Sequence, residues 1–444
     1  MLLVLLLAIV WFATGKKRLS LLAFFALLTN GFMLVPQEAY TVVANLKPSD
    51  YGILYCLSVA AIAYARNRNY YKGEAYFPPF TRVLLLFLAV SYLVSVSLYH
   101  IPAFESLKYV RKYMLLLAPA VLCLFSREEL EDTVKVLFKV TLVQCFLYLL
   151  QPILKTQILT GHSTEGVTSF FGLFSIPRYY NVPVYLWFFL FYACYRKGVD
   201  EKKRLLQVAF MFLPVLVSMH RSHVAAYIVV LILGYAVVRM RKMLPLIIGL
   251  MIIIIPFAGI ISNNVERNKS VMDIAGAFEI GYEDFDPGND GEATFTFRIM
   301  HFLERFDRTM EKPETAIFGL GYMADGSNYA NANFDFFIGL EDEETGDVIQ
   351  FETADIAWSE MIVRLGLAGI AVYLLYYIAL MLRFLKERES EYGRSAYCGM
   401  AVLLILSFTS VMIMDMSNMV LLLAIYEILK NKNKEEVIPV QDAK

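Results

Sequence analysis

Residues 217–230 read VSMHRSHVAAYIVV. His220, Arg221 and His223 stand between two apolar runs, 205–220 and 223–238, each of the composition that crosses a bilayer. A guanidinium at the bilayer centre costs about 2.5–3.5 kcal/mol on insertion scales. Arg221 is therefore expected at a boundary where a pair of spanning helices turns. Which boundary that is follows from the basic residues in the rest of the chain.

The 444 residues are 58% hydrophobic and 18% charged, leaving too little polar surface for a soluble protein of this length. Apolar runs fall near 1–15, 20–36, 50–66, 83–101, 113–126, 136–154, 182–195, 205–220, 223–238, 244–261, 356–382, 396–414 and 417–430. With roughly 20 residues needed per crossing, they predict an all-α polytopic bundle of about 12–13 transmembrane helices. The five cysteines lie within or at the ends of these runs without a CxxC pair, which argues against a disulfide framework or a zinc site. No internal repeat, Gly-rich phosphate loop or nucleic-acid motif is present, so no nucleic-acid partner is expected. The first fifteen residues carry no basic residue ahead of the apolar stretch and have Lys16, Lys17 and Arg18 after it. That polarity is wrong for a signal peptide and reads as a first span with its N-terminus outside.

Alternate connections hold Lys16–Arg18, then Arg66, Arg68 and Lys72, then Arg196 to Arg204, then Arg239 to Lys242, then Arg383 to Arg394, and the lysines of the tail. These belong in the cytoplasm by the positive-inside rule. The resulting division is 1–261 for the first ten helices, 262–355 for one large extracytoplasmic loop, 356–430 for the C-terminal helices and 431–444 for a cytoplasmic tail. The large loop is acidic ("EDFDPGND", "GLEDEETGD"), and all five histidines fall on its side, as does Arg221. Lys108, Arg111 and Lys112 depart from the pattern by lying outside, against lipid phosphates or against an incoming ligand.

Three groups of residues carry possible chemistry. Arg221 serves either as a snorkelling interfacial anchor or as a fixed cation for a phosphorylated ligand, a task its planar fork suits. In "FTFRIMHFLERFDRTM", Arg298, His301, Arg305 and Arg308 share one helical stripe beside Phe295, Ile299, Phe302 and Phe306; the plain alternative is an amphipathic helix on the membrane surface. Pro313 and the glycines of "FGLGY" then mark a stop and a tight turn. Asp355 precedes the next apolar helix, where a first-turn acid is favoured by the helix dipole alone, and Glu360 and Arg364 are spaced to pair on one face.

Arg221 at the start of an apolar helix, a large outer loop bearing Arg298, then "FGLGY" and then "GLAG" in the following span resemble the O-antigen polymerase and O-antigen ligase family, most clearly over 205–385. The resemblance implies integral membrane glycosyltransferases of the GT-C type in a bacterial cytoplasmic membrane, with the active site facing outward. It implies that Arg221 and Arg298 bind the diphosphate of a polyprenyl-linked glycan donor. In the family a histidine stands eleven residues before the first glycine of the "GLxG" helix, and here Asp355 stands eleven before Gly366. The base is then Asp355 as a carboxylate, or His301 in its place. Arg178 in "SIPRYY", His220, His223, His301, Arg305 and Tyr322 are further candidate substrate contacts, with Asn328, Asn331 and Asn333 as candidate sugar contacts.

Negative charge builds on the departing phosphate oxygen, and fixed cations there favour the transition state over the ground state. With two arginines in that role no metal or other cofactor is expected. The partners implied are the lipid-linked donor and acceptor, the bilayer and a chain-length regulator protein. The expected reaction is polymerisation of lipid-linked repeat units of a surface polysaccharide such as O-antigen or capsule, and the acidic loop favours neutral or amino-sugar units. Transfer to a lipid A core or a protein, as by a ligase, is the first alternative. A flippase for lipid-linked oligosaccharides is the second, and it calls for charges deep in the bundle.

Overall fold

The computed structural model describes residues 1–36, 38–41, 46–68, 76–161, 167–170, 174–237, 282, 294–341, 346–353 and 356–437. The span expected at 244–261, most of the acidic stretch that follows it, and Asp355 lie outside the described residues.

The fold is all-α, apart from one short antiparallel hairpin among the described residues. This joins β1 (Val167–Phe170) to β2 (Phe174–Pro177), with Val167 opposite Pro177 and Phe170 opposite Phe174. The first half contains α1 (Leu2–Ala13), α2 (Lys17–Leu28), the single turns α3 (Asn30–Met33) and α4 (Glu38–Thr41), α5 (Pro48–Arg66), α6 (Thr81–Ser97), α7 (Ala103–Val110), α8 (Pro119–Leu122) and α9 (Arg127–Leu154). The second half contains α10 (Leu186–Tyr195), α11 (Glu201–Val217), α12 (Arg221–Val237), α13 (Thr294–Met310), α14 (Pro313–Phe318), α15 (Asn328–Asn333), α16 (Ala357–Lys386), α17 (Glu391–Leu406) and α18 (Met416–Val437).

Local chemistry accounts for several of these boundaries. Ser126 accepts the Glu129 N–H at 3.2 Å while the Glu129 carboxylate accepts the Ser126 N–H at 2.8 Å, a capping box that starts α9. Asp200 starts α11 by accepting the N–H groups of Lys202 and Lys203. The run 113–126, expected as one span, is instead a 3₁₀ helix (Arg111–Leu117) followed by α8. Pro119 is the first residue of α8, where its missing N–H is not needed, and it disfavours one continuous helix, although α9 and α11 do run through Pro152 and Pro214. The run 20–36 is likewise broken, by left-handed backbone at Asn30, Phe32 and Met33. Among the described residues two helices are long and apolar enough to cross a membrane, Arg127–Leu154 and Ala357–Lys386; Leu2–Ala13, Thr81–Ser97 and Leu186–Tyr195 are apolar but shorter.

α10 (LWFFLFYACY) is buried along its entire length. It packs on α17 where Gly399 leaves room for the Trp187 ring; a Cβ there would stand 2.6 Å from Trp187 Cε3. Trp187 Nε1–H donates to Asn418 Oδ1 at 2.8 Å, and the buried Tyr373 and Tyr377 hydroxyls donate to the carbonyls of Ile413 and Met400. The outward faces are the apolar ones: Leu86, Leu93, Ile153 and Leu206 are 59–74% exposed. Cys56, Cys145, Cys194 and Cys398 are buried and Cys123 is half-buried, all as free thiols.

Basic helix termini gather at one end. Arg18 pairs with Asp132 at 2.8 Å, Lys17 donates to the Leu124 carbonyl, Arg66 to the Ala13 carbonyl, and the Lys197 N–H to Glu391. At the other end, α13–α15 and their loops dock on α6 and α16. The Tyr322 N–H donates to Ser95 Oγ at 3.2 Å, Tyr329 OH to the Tyr99 carbonyl at 3.1 Å, and the Leu320 N–H to the Val363 carbonyl at 2.6 Å. Gly319 (φ 79°) and Gly366 (φ 63°) meet backbone to backbone at this junction, and α16 leaves helical geometry at Gly366.

Candidate functional site

The turn between α11 and α12 is the centre of the candidate site. A helix end leaves its last carbonyls without partners, and here an arginine takes them. Arg178 Nε–H donates to the Ser218 carbonyl at 3.0 Å and Nη2–H to the Met219 carbonyl at 3.4 Å, with the guanidinium 4.8 Å over the Tyr180 ring. Met219 adopts φ 55°, the left-handed turn that ends α11. His220 follows, its ring 4.6 Å from Tyr180 and stacked 4.9 Å from His223. Arg221 is the first residue of α12.

Arg298, half-buried on α13, lies near enough to this turn for its charge to act on the His220 imidazole. Burial first, then His223, Arg178 and Arg298, push the His220 pKa down from 6.5 to about 3. The imidazole is therefore neutral at neutral pH, and the positive charge that acts on it comes from guanidiniums that do not titrate. Such a group of forked, permanent cations beside a neutral imidazole suits an anionic oxygen cluster such as phosphate or diphosphate.

Other sequence candidates take different positions. His301 and Arg305, expected as substrate contacts, are fully buried. His301 Nδ1 lies 3.0 Å from Ser359 Oγ, and its Nε2 lies 3.3 Å from the Glu352 carbonyl. Burial and the Arg305 charge hold its pKa well below the usual histidine value. Arg305 donates to the carbonyls of Ile338 (2.7 Å) and Glu352 (3.2 Å), pairs with Glu304 at 3.1 Å, and stacks 4.6 Å over Phe336. Both of its terminal nitrogens are engaged by the scaffold, while its buried Nε–H has no hydrogen-bond partner among the described residues. Tyr322 is also fully buried, stacked 5.6 Å from Tyr109, so it is a packing residue and not a sugar contact. Asn328, Asn331 and Asn333 are exposed on or at the end of α15.

The three outer cations each have a carboxylate: Lys108 with Glu105 at 2.6 Å, Arg111 with Asp50 at 3.0 Å, and Lys112 with Glu360 at 2.9 Å. Glu360 Oε1 also accepts Tyr109 OH at 2.6 Å and lies 3.4 Å from Arg364 Nη1, the pair expected from their spacing. Arg364 meets Asp325 and donates to the Phe351 carbonyl at 3.2 Å. The group is charge-balanced and ties α7, the outer loop and α16 together. A cavity of about 220 Å³ opens nearby, lined by Leu85, Leu88, Tyr92, Leu107, Tyr113 and Met114, and none of the residues around His220 lines it.

One residue escaped sequence reasoning. Asp415, half-buried at the start of α18, accepts from the Ser417 N–H and hydroxyl, and no ion pair engages it among the described residues. It lies close to Tyr185, which begins α10 a few residues after Arg178 and Tyr180. As a helix-starting Asp-x-Ser it carries no signal beyond a cap. Among the described residues no three His, Cys, Asp or Glu side chains gather as a metal site. No protein-family model and no curated protein matches this chain.

Proposed function

We propose that the chain is a polytopic membrane glycosyltransferase that polymerises polyprenyl-diphosphate-linked oligosaccharide units at the outer face of the bacterial cytoplasmic membrane. Large apolar side chains turned outward on helix after helix support a lipid surround, and the basic helix ends collected at one pole support a cytoplasmic side there. What supports the reading is that Arg178 and Arg298, from separate parts of the chain, both act electrostatically on the imidazole of His220 beside the start of α12, at a turn that Arg178 holds directly on the pole opposite the basic one.

In this reading the donor diphosphate lies against the guanidiniums. An acceptor hydroxyl oxygen forms a bond to the anomeric carbon as the bond from that carbon to the phosphate oxygen breaks. The electron pair leaves with the diphosphate, whose growing charge the arginines stabilise, and the hydroxyl proton passes to a carboxylate. Asp355 is the base inferred from the sequence, and Asp415 is the carboxylate near the same pole.

The test is reconstitution. Purified protein in lipid vesicles, given a polyprenyl-diphosphate oligosaccharide, is expected to build a ladder of lipid-linked chains. Loss of one charge-assisted contact of about 1.5–3 kcal/mol slows turnover roughly 10- to 150-fold, and Arg298→Ala is expected to do so with normal expression. A ladder that never forms, or one unaffected by Arg298→Ala, removes the proposal; glycan appearing on a lipid A core or protein instead would assign the ligase reaction.

A further inference from the structure

Arg298, His301 and Arg305 lie on one helix. At 3.6 residues per turn, Arg305 falls about 20° and His301 about 60° from the azimuth of Arg298. Whatever fixes the face bearing His301 and Arg305 therefore fixes the direction of Arg298. That face is held with unusual density. The Glu304 carboxylate accepts the N–H groups of Phe337 (2.8 Å) and Ile338 (3.2 Å), while its neighbour Arg305 donates back to the Ile338 carbonyl, so the pair closes on both polar groups of one residue. One and two turns beyond Arg298, His301 and Arg305 then converge on the same Glu352 carbonyl.

From the other side Arg364 of α16 holds the adjacent Phe351 carbonyl. Phe351 has φ 66°, a left-handed conformation that a bulky residue adopts only when its surroundings impose it. Two adjacent carbonyls are thus gripped by cationic or imidazole donors from two helices, one carrying Arg298 and the other running into the membrane-facing bundle.

We propose that Glu304, His301 and Arg305 are positioning residues that lock the rotation of α13 onto the Phe351–Glu352 peptide and so hold Arg298 at the phosphate site. This rests on the function proposed above. The buried ion pair serves the fold through the backbone groups of Phe337, Ile338 and Glu352 that it satisfies, although the attraction between the two charges is itself often replaceable by apolar groups of similar volume. Its contribution beyond the fold is direction, where a displacement of about 1 Å costs on the order of 100-fold in rate.

The experiment uses Arg305→Lys, which keeps the charge but lacks the fork, and the double variant Glu304→Gln/Arg305→Met, which fills the site without ions. Each is made in the wild-type and Arg298→Ala backgrounds in reconstituted full-length protein. Turnover of a polyprenyl-diphosphate oligosaccharide is measured alongside thermal unfolding. The expected result is a fall in kcat of about 10- to 100-fold for Arg305→Lys, with no further fall once Arg298 is alanine. An equal fall in both backgrounds overturns the proposal, because a residue that serves only the fold acts whatever stands at 298. A second readout needs no turnover: in ¹³C-histidine-labelled protein, withdrawal of the Arg298 charge raises the midpoint of His220. An unchanged midpoint in either folded variant overturns the positioning role. Should Arg298→Ala turn over like the wild type, the phosphate-site reading falls, and the His220 titration still decides the mechanical one.

Discussion

Replacing Gly366 by alanine probes the junction on which the outer segment is seated. A Cβ at this position would lie 2.4 Å from the Gly319 nitrogen and 2.5 Å from the Ile317 carbonyl oxygen, both backbone atoms that no rotamer change can move aside. The residue also sits at φ 63°, ψ −174°, a region essentially reserved for glycine, at a cost of order 1–3 kcal/mol for any other residue. Forcing a methyl group into closed packing adds about 1–3 kcal/mol, so Gly366→Ala is expected to destabilise the fold by about 2–6 kcal/mol in sum. Gly346→Ala is the matched control: it shares a positive φ of 73° but meets nothing within 4 Å, and is expected to cost about 1–2 kcal/mol. Thermal unfolding in detergent, followed by intrinsic fluorescence, compares the two. Limited proteolysis across α14–α15 tests whether the outer segment lifts first. Equal unfolding temperatures for the two variants would refute the reasoning, since the difference between them is the backbone contact.

Glu360→Ala leaves Lys112 and Arg364 without their shared carboxylate and is expected to cost about 3–5 kcal/mol, whereas Glu360→Gln keeps an acceptor for Tyr109 and costs less; unfolding temperatures rank them. The wild type loses stability as pH falls from 6.5 towards 3, because the unfolded chain takes up a proton that buried His220 refuses. His220→Gln is expected to make that pH dependence shallower by up to about one proton, read from denaturation midpoints across the window. Asp355→Asn is expected to lower turnover about 10²- to 10⁴-fold, as for loss of a general base, while donor binding persists. Full turnover moves the base elsewhere, with Asp415→Asn as the next variant.

The helical class, the gathering of basic termini and the Glu360–Arg364 pair were legible because each depends on periodicity or on spacing within one helix. The break in the run at 113–126 was not legible: Pro119 stands there, but Pro152 and Pro214 lie inside continuous helices, so a proline alone does not mark a break in this chain. The stripe of His301 and Arg305 was legible as a stripe, but its burial was not. Its partners are carbonyls of Ile338 and Glu352 and the carboxylate of Glu304, and a carbonyl leaves no mark in a sequence. The pairing of Lys112 with Glu360 crosses most of the chain, and Arg178 serves a helix end whose carbonyls every sequence possesses. Long-range satisfaction of polar groups is thus the layer that composition and period do not reach.

The seam between Gly319 and Gly366 asks only that two positions stay bare. It reads no side chain on the solvent side of the outer segment, so Asn328, Asn331 and Asp335, all exposed, are at liberty to change without unseating it. A scaffold joined this way can exchange its exposed side chains while the helices beneath stay as they were.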